Sequence, residues 1–331
     1  MDNNILKQLL TEYDSKRMYA LNSLEDRKQH LRETSYEYVS IEKDLHDISL
    51  EILKAMLNSS ESEKEEKLKN LQQKTDEISE KKAKLLHSLN LPDDYLEPHF
   101  ECNLCQDTGY VKNSLCSCIK QKLYDIEYNK SNISNINHEN FKNIKFDIYS
   151  DKPNPETYHS QVSPRENMKK IYTISKQFVQ NFDSSEEKNL MFLGPTGLGK
   201  TFLSNCIAKE ILDLGKTVLY QTAPVMLDSI IKAKFENSST LMDNILDVDL
   251  LIIDDLGTET MNNMKFTELF NIINTRLLNQ NNKITKTIIS TNMDIKDIFE
   301  VYDERIGSRI IGNYNICRFF GDDIRVKKNI R

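Results

Sequence analysis

Residues 194–201 read Gly194-Pro195-Thr196-Gly197-Leu198-Gly199-Lys200-Thr201, which fills every fixed position of the phosphate-loop spacing G-x-x-x-x-G-K-[ST]. The chemistry explains the spacing. Glycines let successive backbone N–H groups turn inward around a phosphate chain. Lys200 sets a positive charge against the β- and γ-phosphates, and the Thr201 hydroxyl is a ligand for Mg²⁺. A helix starting there presents its positive end to the same anion. The apolar run Leu190–Leu193 precedes the loop, and Phe202, Leu203, Cys206, Ile207, Ile211 and Leu214 follow at helical spacing, so a strand and a helix flank it. A chance glycine turn is the competing reading, and both flanks count against it.

Three further groups follow in order. Leu250-Leu251-Ile252-Ile253 runs into Asp254-Asp255. A buried strand ending in two carboxylates suits a Walker B element, with Asp254 on Mg²⁺ and Asp255 polarising the attacking water. Glu259 is either an auxiliary carboxylate or a turn residue. Ser290-Thr291-Asn292 ends a later apolar run, and a polar side chain at that strand tip can orient water or sense the γ-phosphate; otherwise it is a capping turn before Asp294. Arg305 and Arg309 are spaced i, i+4 and share one helix face. They can reach a neighbouring subunit's nucleotide and stabilise charge on the transferring phosphoryl group, or they pair with Asp303 or Glu304 on the surface.

Four of the six cysteines, Cys102, Cys105, Cys116 and Cys118, fall within seventeen residues. Cys-x₂-Cys followed by Cys-x-Cys suits tetrahedral Zn²⁺ in a closed structural site, and Thr108-Gly109 suits the knuckle turn. An iron–sulfur occupant fits the tight Cys-x-Cys arm less well, and unligated thiols are the plain alternative. Cys206 and Cys317 read as core residues.

The elements that must position these groups follow from periodicity. Residues 1–90 contain no Gly and no Pro, and apolar residues recur at helical spacing: Leu21, Leu24, Leu31; Ile41, Leu45, Ile48, Ile52, Met56; Leu68, Leu71, Ile78, Leu85. The polar run 58–63 reads as a turn, so the last two helices form an antiparallel hairpin. This arm is either a plain hairpin with a solvated face or a docking arm. Residues 121–165, rich in Asn, Ser and Asp, read as a linker with short helical pieces. From 166 onward strand and helix alternate: strands at 217–220, 249–253, 286–290 and 315–320, helices at 224–234, 263–278, 295–299 and 304–311. That pattern predicts an α/β fold, a parallel sheet with helices on both faces and ligands at the carboxyl ends of its strands. The expected division is a helical region over 1–92, a four-cysteine zinc knuckle over 93–120, the linker over 121–165 and the P-loop domain over 166–331.

Net charge is −7, which argues against coating nucleic acid by bulk charge. No apolar run is long enough to span a membrane, and the N-terminus lacks the basic and apolar regions of a secretory signal, so the expected location is cytoplasmic.

Taken together, GPTGLGKT, LLIIDDLGTE at 250–259, STN at 290–292, ERIGSR at 304–309, FFGDDIR at 319–325 and the cysteine segment before them resemble the bacterial helicase-loader family of AAA+ ATPases, the DnaC/DnaI type, with the IstB transposition helper as close kin. The resemblance covers about residues 95–331. It implies an ATPase that self-associates through its AAA+ domain and binds ATP and Mg²⁺ through Lys200, Thr201 and Asp254, with Asp255 at the catalytic position, Asn292 as sensor 1 and Arg309, before Arg305, as arginine finger on the next protomer. It also implies two partners, a replicative hexameric helicase gripped by the N-terminal helices and single-stranded DNA; Lys232, Lys234, Arg325, Lys327, Lys328 and Arg331 are local candidates for the latter. Two departures stand out. Asp255 replaces the Glu commonest in AAA+ enzymes, and no helical lid with a sensor 2 arginine is evident beyond Arg325. Both favour a slow switch over a processive motor. The IstB-like alternative is a helper ATPase acting on duplex DNA.

Overall fold

The glycine-free N-terminal region forms three helices, α1 (Asn3–Thr34), α2 (Tyr36–Asn58) and α3 (Glu61–Ser88). The structure, a computed structural model, describes residues 3–58, 61–128, 138–278 and 283–329; the centre of the turn expected at 58–63 and the end of the basic tail, Arg331, lie outside them. Ile41, Ile48 and Ala55 of α2 and Leu71, Ile78 and Leu85 of α3 belong to one buried cluster. Seven-residue spacing on both helices lets them pack along one apolar seam. Arg32 fixes the bend between α1 and α2 by a bidentate bond to Glu42, 2.8 Å on each arm. These helices and the first part of the cysteine segment form one unit, Leu6–Ser114; Leu115–Arg331 make up the body of a second.

The cysteine segment holds a two-stranded ribbon, β1 (Tyr110–Val111) and β2 (Ser114–Leu115), followed by α4 (Ser117–Glu127). In the second unit come α5 (Pro155–Tyr158), α6 (Pro164–Gln180), β3 (Asn189–Leu193), α7 (Lys200–Asp213), β4 (Val218–Thr222), α8 (Ala223–Phe235), α9 (Thr240–Asp247), β5 (Leu250–Leu256), α10 (Asn263–Leu278), β6 (Lys286–Thr291), α11 (Ile295–Asn313), β7 (Tyr314–Arg318) and α12 (Ile324–Asn329). The five long strands form one parallel sheet in the order β4-β5-β6-β3-β7. Helices cover both faces, which is why β3 and β6 are buried at every position. The phosphate loop thus sits on a parallel sheet with helices on both faces, which follows the helical region in the chain, and no helix among the described residues is long and apolar enough to cross a membrane.

Residues 121–165 hold the short helical pieces expected of them, and several of their side chains also enter the core. Leu123 and Tyr124 of α4 are buried, and Tyr124 joins the core on one face of the sheet. Phe141, which opens one 3₁₀ turn, and Tyr149, which follows another, join the core on the other. Isolated aromatics in a polar stretch carry no periodicity, so the pattern hid them. The helices expected at 295–299 and 304–311 are present as the two limbs of α11, which part at Asp303, whose backbone (φ 61°, ψ 175°) is not helical.

Candidate functional site

The loop from Gly194 to Thr201 leaves the carboxyl end of β3 and enters α7, with Gly199 at φ +95° as the residue before the first helical turn. A Cβ at Gly199 would lie 2.8 Å from the Tyr149 hydroxyl, which itself donates to the Leu198 carbonyl at 3.0 Å, so glycine is needed for both conformation and space. The C-terminal segment holds the other side of the loop: the Phe319 N–H donates to Leu193 O at 2.6 Å and the Ile324 N–H to Gly197 O at 3.0 Å.

Lys200 is buried. Its ammonium donates to Gly194 O at 2.6 Å, Pro195 O at 2.8 Å and Asn292 Oδ1 at 2.8 Å, so β6 delivers Asn292 to the phosphate loop. Burial pushes the Lys200 pKa down, while Asp255 and Asp254 oppose that. Thr201 Oγ1 donates to Asp254 Oδ2 at 3.1 Å. The same carboxylate oxygen accepts the Tyr220 hydroxyl of β4 at 2.6 Å, and Oδ1 accepts the Ser290 hydroxyl of β6 and the Asp255 N–H. Asp254 is thus oriented from both neighbouring strands. A hydroxyl and a carboxylate side by side form the hard oxygen pair that Mg²⁺ takes beside phosphates, and these residues fit that ion.

Asp255 stands at φ +54°, where β5 and β6 lose register between Ile253 and Leu256. The irregularity turns its carboxyl toward a cleft of about 430 Å³ that also bears Lys200, Thr201, Asn292 and Arg325. Burial, then the charge on Asp254, raises the Asp255 pKa. Ile144, Ile148, Tyr149, Met168 and Ile324 give the cleft apolar surface, beside Glu139, Asn143 and Lys145. A flat base beside a phosphate site needs such a surface. Most of this apolar surface comes from residues 121–165, whose lack of periodicity hid it.

The remaining candidates lie elsewhere. Glu259 does not line the cleft: one oxygen accepts the Gly257 N–H at 2.9 Å and the other the Tyr302 hydroxyl, so the turn reading holds. Arg305 pairs with Asp303 at 2.9 Å, and Arg309 donates to Asn274 at 2.8 Å with its guanidinium 4.6 Å from the Phe270 ring. Neither arginine lines the cleft of its own chain. Of the basic residues considered for DNA, Lys234 is taken up by Glu268 and Lys232 stands 4.0 Å from Glu236.

A family model described as IstB-like ATP binding protein matches residues 157–328, just over half of the chain. The chain belongs to that family. An IS21 insertion-sequence ATP-binding protein from Pseudomonas aeruginosa is 25% identical over 147 residues, covering 43% of this chain and 54% of that protein. An IS232 ATP-binding protein from Bacillus thuringiensis subsp. berliner is 26% identical over 165 residues, covering 47% and 64%. The chain therefore spans between half and two thirds of the length of these relatives. Among solved structures, that of the DnaC helicase loader aligns with a TM-score of 0.45 and 21% identity, covering 56% of this chain and 99% of that one.

The cysteine cluster lies outside the IstB-like span. The Sγ atoms of Cys102, Cys105, Cys116 and Cys118 all lie within 4.8 Å of one another. Tetrahedral Zn²⁺ with bonds of about 2.3 Å sets its sulfurs about 3.8 Å apart, so the four thiols fit the ion. Asp107, nearly fully buried, accepts the Glu101 and Cys102 N–H groups at 2.9 Å each, and Thr108 Oγ1 donates to Cys105 O at 2.7 Å. These bonds shape the first knuckle. Asp107 is a residue that the cysteine spacing alone did not single out.

Proposed function

We propose that this chain is a helicase loader, an ATPase switch that grips a replicative hexameric helicase and helps set it on single-stranded DNA in the cytoplasm. The observation that carries the reading is the helical unit over Leu6–Ser114, which precedes the P-loop unit and lies outside the IstB-like match. Its single apolar seam leaves the other helix faces, where Leu50 and Leu53 are exposed, as surface for a partner.

In this reading Lys200 and the backbone of residues 194–201 bind the phosphates of ATP. Thr201 and Asp254 hold Mg²⁺, which would supply charge neutralisation at the β- and γ-phosphates. Asp255 accepts the proton of the attacking water, a role that its raised pKa suits. Asn292 orients that water, and Arg325 takes the place of a sensor 2 arginine. Arg309, assisted by Arg305, acts on the nucleotide of the next copy in a self-associated ring. The four cysteines hold a structural Zn²⁺.

The test is capture of the host's replicative helicase by the full chain with ATP present, followed by helicase placement on single-stranded DNA. A stoichiometric complex and ATP-dependent placement are expected; no complex at micromolar concentrations sinks the reading. A second reading, a transposition helper, draws on the family match and the insertion-sequence relatives. It predicts ATP-dependent filaments on duplex DNA, which a loader does not form.

A further inference from the structure

Glu259 is a buried carboxylate aimed away from the cleft, and Asp303 is a left-handed residue in mid-helix; the nucleotide chemistry above uses neither. They are neighbours in space. Glu259 binds the Gly257 N–H and the hydroxyl of Tyr302, which is fully buried. The turn that carries Glu259 begins at Asp255: the Thr258 N–H and hydroxyl both donate to Asp255 O, at 3.3 and 2.8 Å, and Thr291 of β6 donates to Leu256 O. Any shift of Asp255 is therefore felt at Glu259.

On the other side, Tyr302 is the last residue of the first limb of α11. Asp303 bends the chain, and its carboxylate accepts both the Arg305 N–H at 2.7 Å and the Arg305 guanidinium. The second limb bears Arg305 and Arg309, whose guanidinium groups share the Phe270 ring at 5.6 and 4.6 Å. The limbs touch at Gly307, where a Cβ would lie 2.8 Å from the Phe299 ring. The direction of both arginines is thus set by the bend, and the bend is tied to Glu259 through Tyr302.

We propose that the Glu259–Tyr302 hydrogen bond is a positioning clamp that couples the Asp255 loop of one subunit's site to the arginines that the same subunit offers to its neighbour. The inference rests on the trans role of Arg309 given above. A buried carboxylate is costly to desolvate, and an apolar pair would join the turn to the helix without that cost; the hydrogen bond adds direction, so the turn and the helix move together.

Subunit mixing separates the possibilities. Lys200→Ala lacks a working site yet donates intact arginines, and Arg309→Ala has a working site without its arginine. Mixed, the two should regain turnover that each lacks alone. Tyr302→Phe removes one oxygen and keeps the ring buried; it should lower turnover on the order of 10- to 100-fold, as a misaimed group does, and bind a fluorescent ATP analogue as the unaltered chain does. It should regain turnover when mixed with Lys200→Ala and not when mixed with Arg309→Ala. Glu259→Gln, which retains one acceptor, should fall in the same group with a smaller loss. Rescue of Tyr302→Phe by Arg309→Ala, or unaltered turnover in both clamp variants, overturns the clamp while the arginine role stands. If Lys200→Ala and Arg309→Ala fail to rescue each other, the trans arginine is wrong and the clamp falls with it.

Discussion

The helical unit and the P-loop unit bury their apolar side chains by different rules. In α2 and α3 one stripe per helix is buried, and Leu50 and Leu53 remain 41% and 56% exposed beside buried Ile48 and partly buried Ile52. In β5 the four aliphatics before Asp254 are buried on both faces of the sheet. A helix with one seam needs only local periodicity, and its other faces stay available to a partner. A strand buried on both sides must find its register against two neighbours, and every polar group at its tip must have a partner. Asp254, held by Thr201, Tyr220 and Ser290, shows the second rule at work.

The sharpest break in this comparison would come from the metal. Structural zinc contributes on the order of 10 kcal/mol in small zinc-dependent folds. Purified protein should carry one zinc per chain by atomic emission, and a strong chelator should erase amide-exchange protection over residues 101–118 while β3 and β5 stay protected. Protein purified without zinc, yet protected there, would remove the metal from the account. Lys200→Ala should cut ATP turnover about 10³-fold, equivalent to about 4 kcal/mol in the barrier, without changing protection in α2 and α3. Spread of its effect into those helices would erase the division of labour.

Asp255→Asn should stop turnover and yet raise the melting temperature by about 1–3 °C. The sign follows from the raised pKa: the folded site disfavours the ionised carboxyl, so the cost is present at pH above the unfolded value and fades as pH falls through the raised folded value. Asn also tolerates the left-handed backbone at this position. The gain should therefore shrink on acidification; a gain independent of pH would assign it to backbone conformation alone. The smallest effect belongs to the outer face of the hairpin. Leu50→Ala should stay within about 0.5 kcal/mol in urea unfolding, whereas Ile48→Ala, in the seam, should cost about 2–4 kcal/mol. Equal costs would mean that the outer face is covered.

Much of the architecture was legible because its signals are local. Seven-residue spacing marked the hairpin, and alternating apolar runs marked the parallel sheet to within a few residues. A phosphate loop is a short peptide whose backbone geometry its own glycines dictate, and four cysteines within seventeen residues need little else to meet. The apolar surface of the cleft was not legible, since Ile144, Ile148 and Tyr149 lie in a polar stretch without periodicity and matter only once folded against Leu198.

By itself, then, the sequence determined which residues could handle phosphate and zinc, and the type of element carrying each. The tertiary structure decided which groups meet across long separations. Tyr220 and Ser290 come to Asp254 through strand register, and Arg325 comes to the cleft through the C-terminal segment bonded to the phosphate loop. Glu259, in chain order an equal candidate for the nucleotide, turns to Tyr302 instead. Spacing along a chain specifies what a local turn can bind; contacts between distant residues depend on register and burial, which exist only after the sheet has formed.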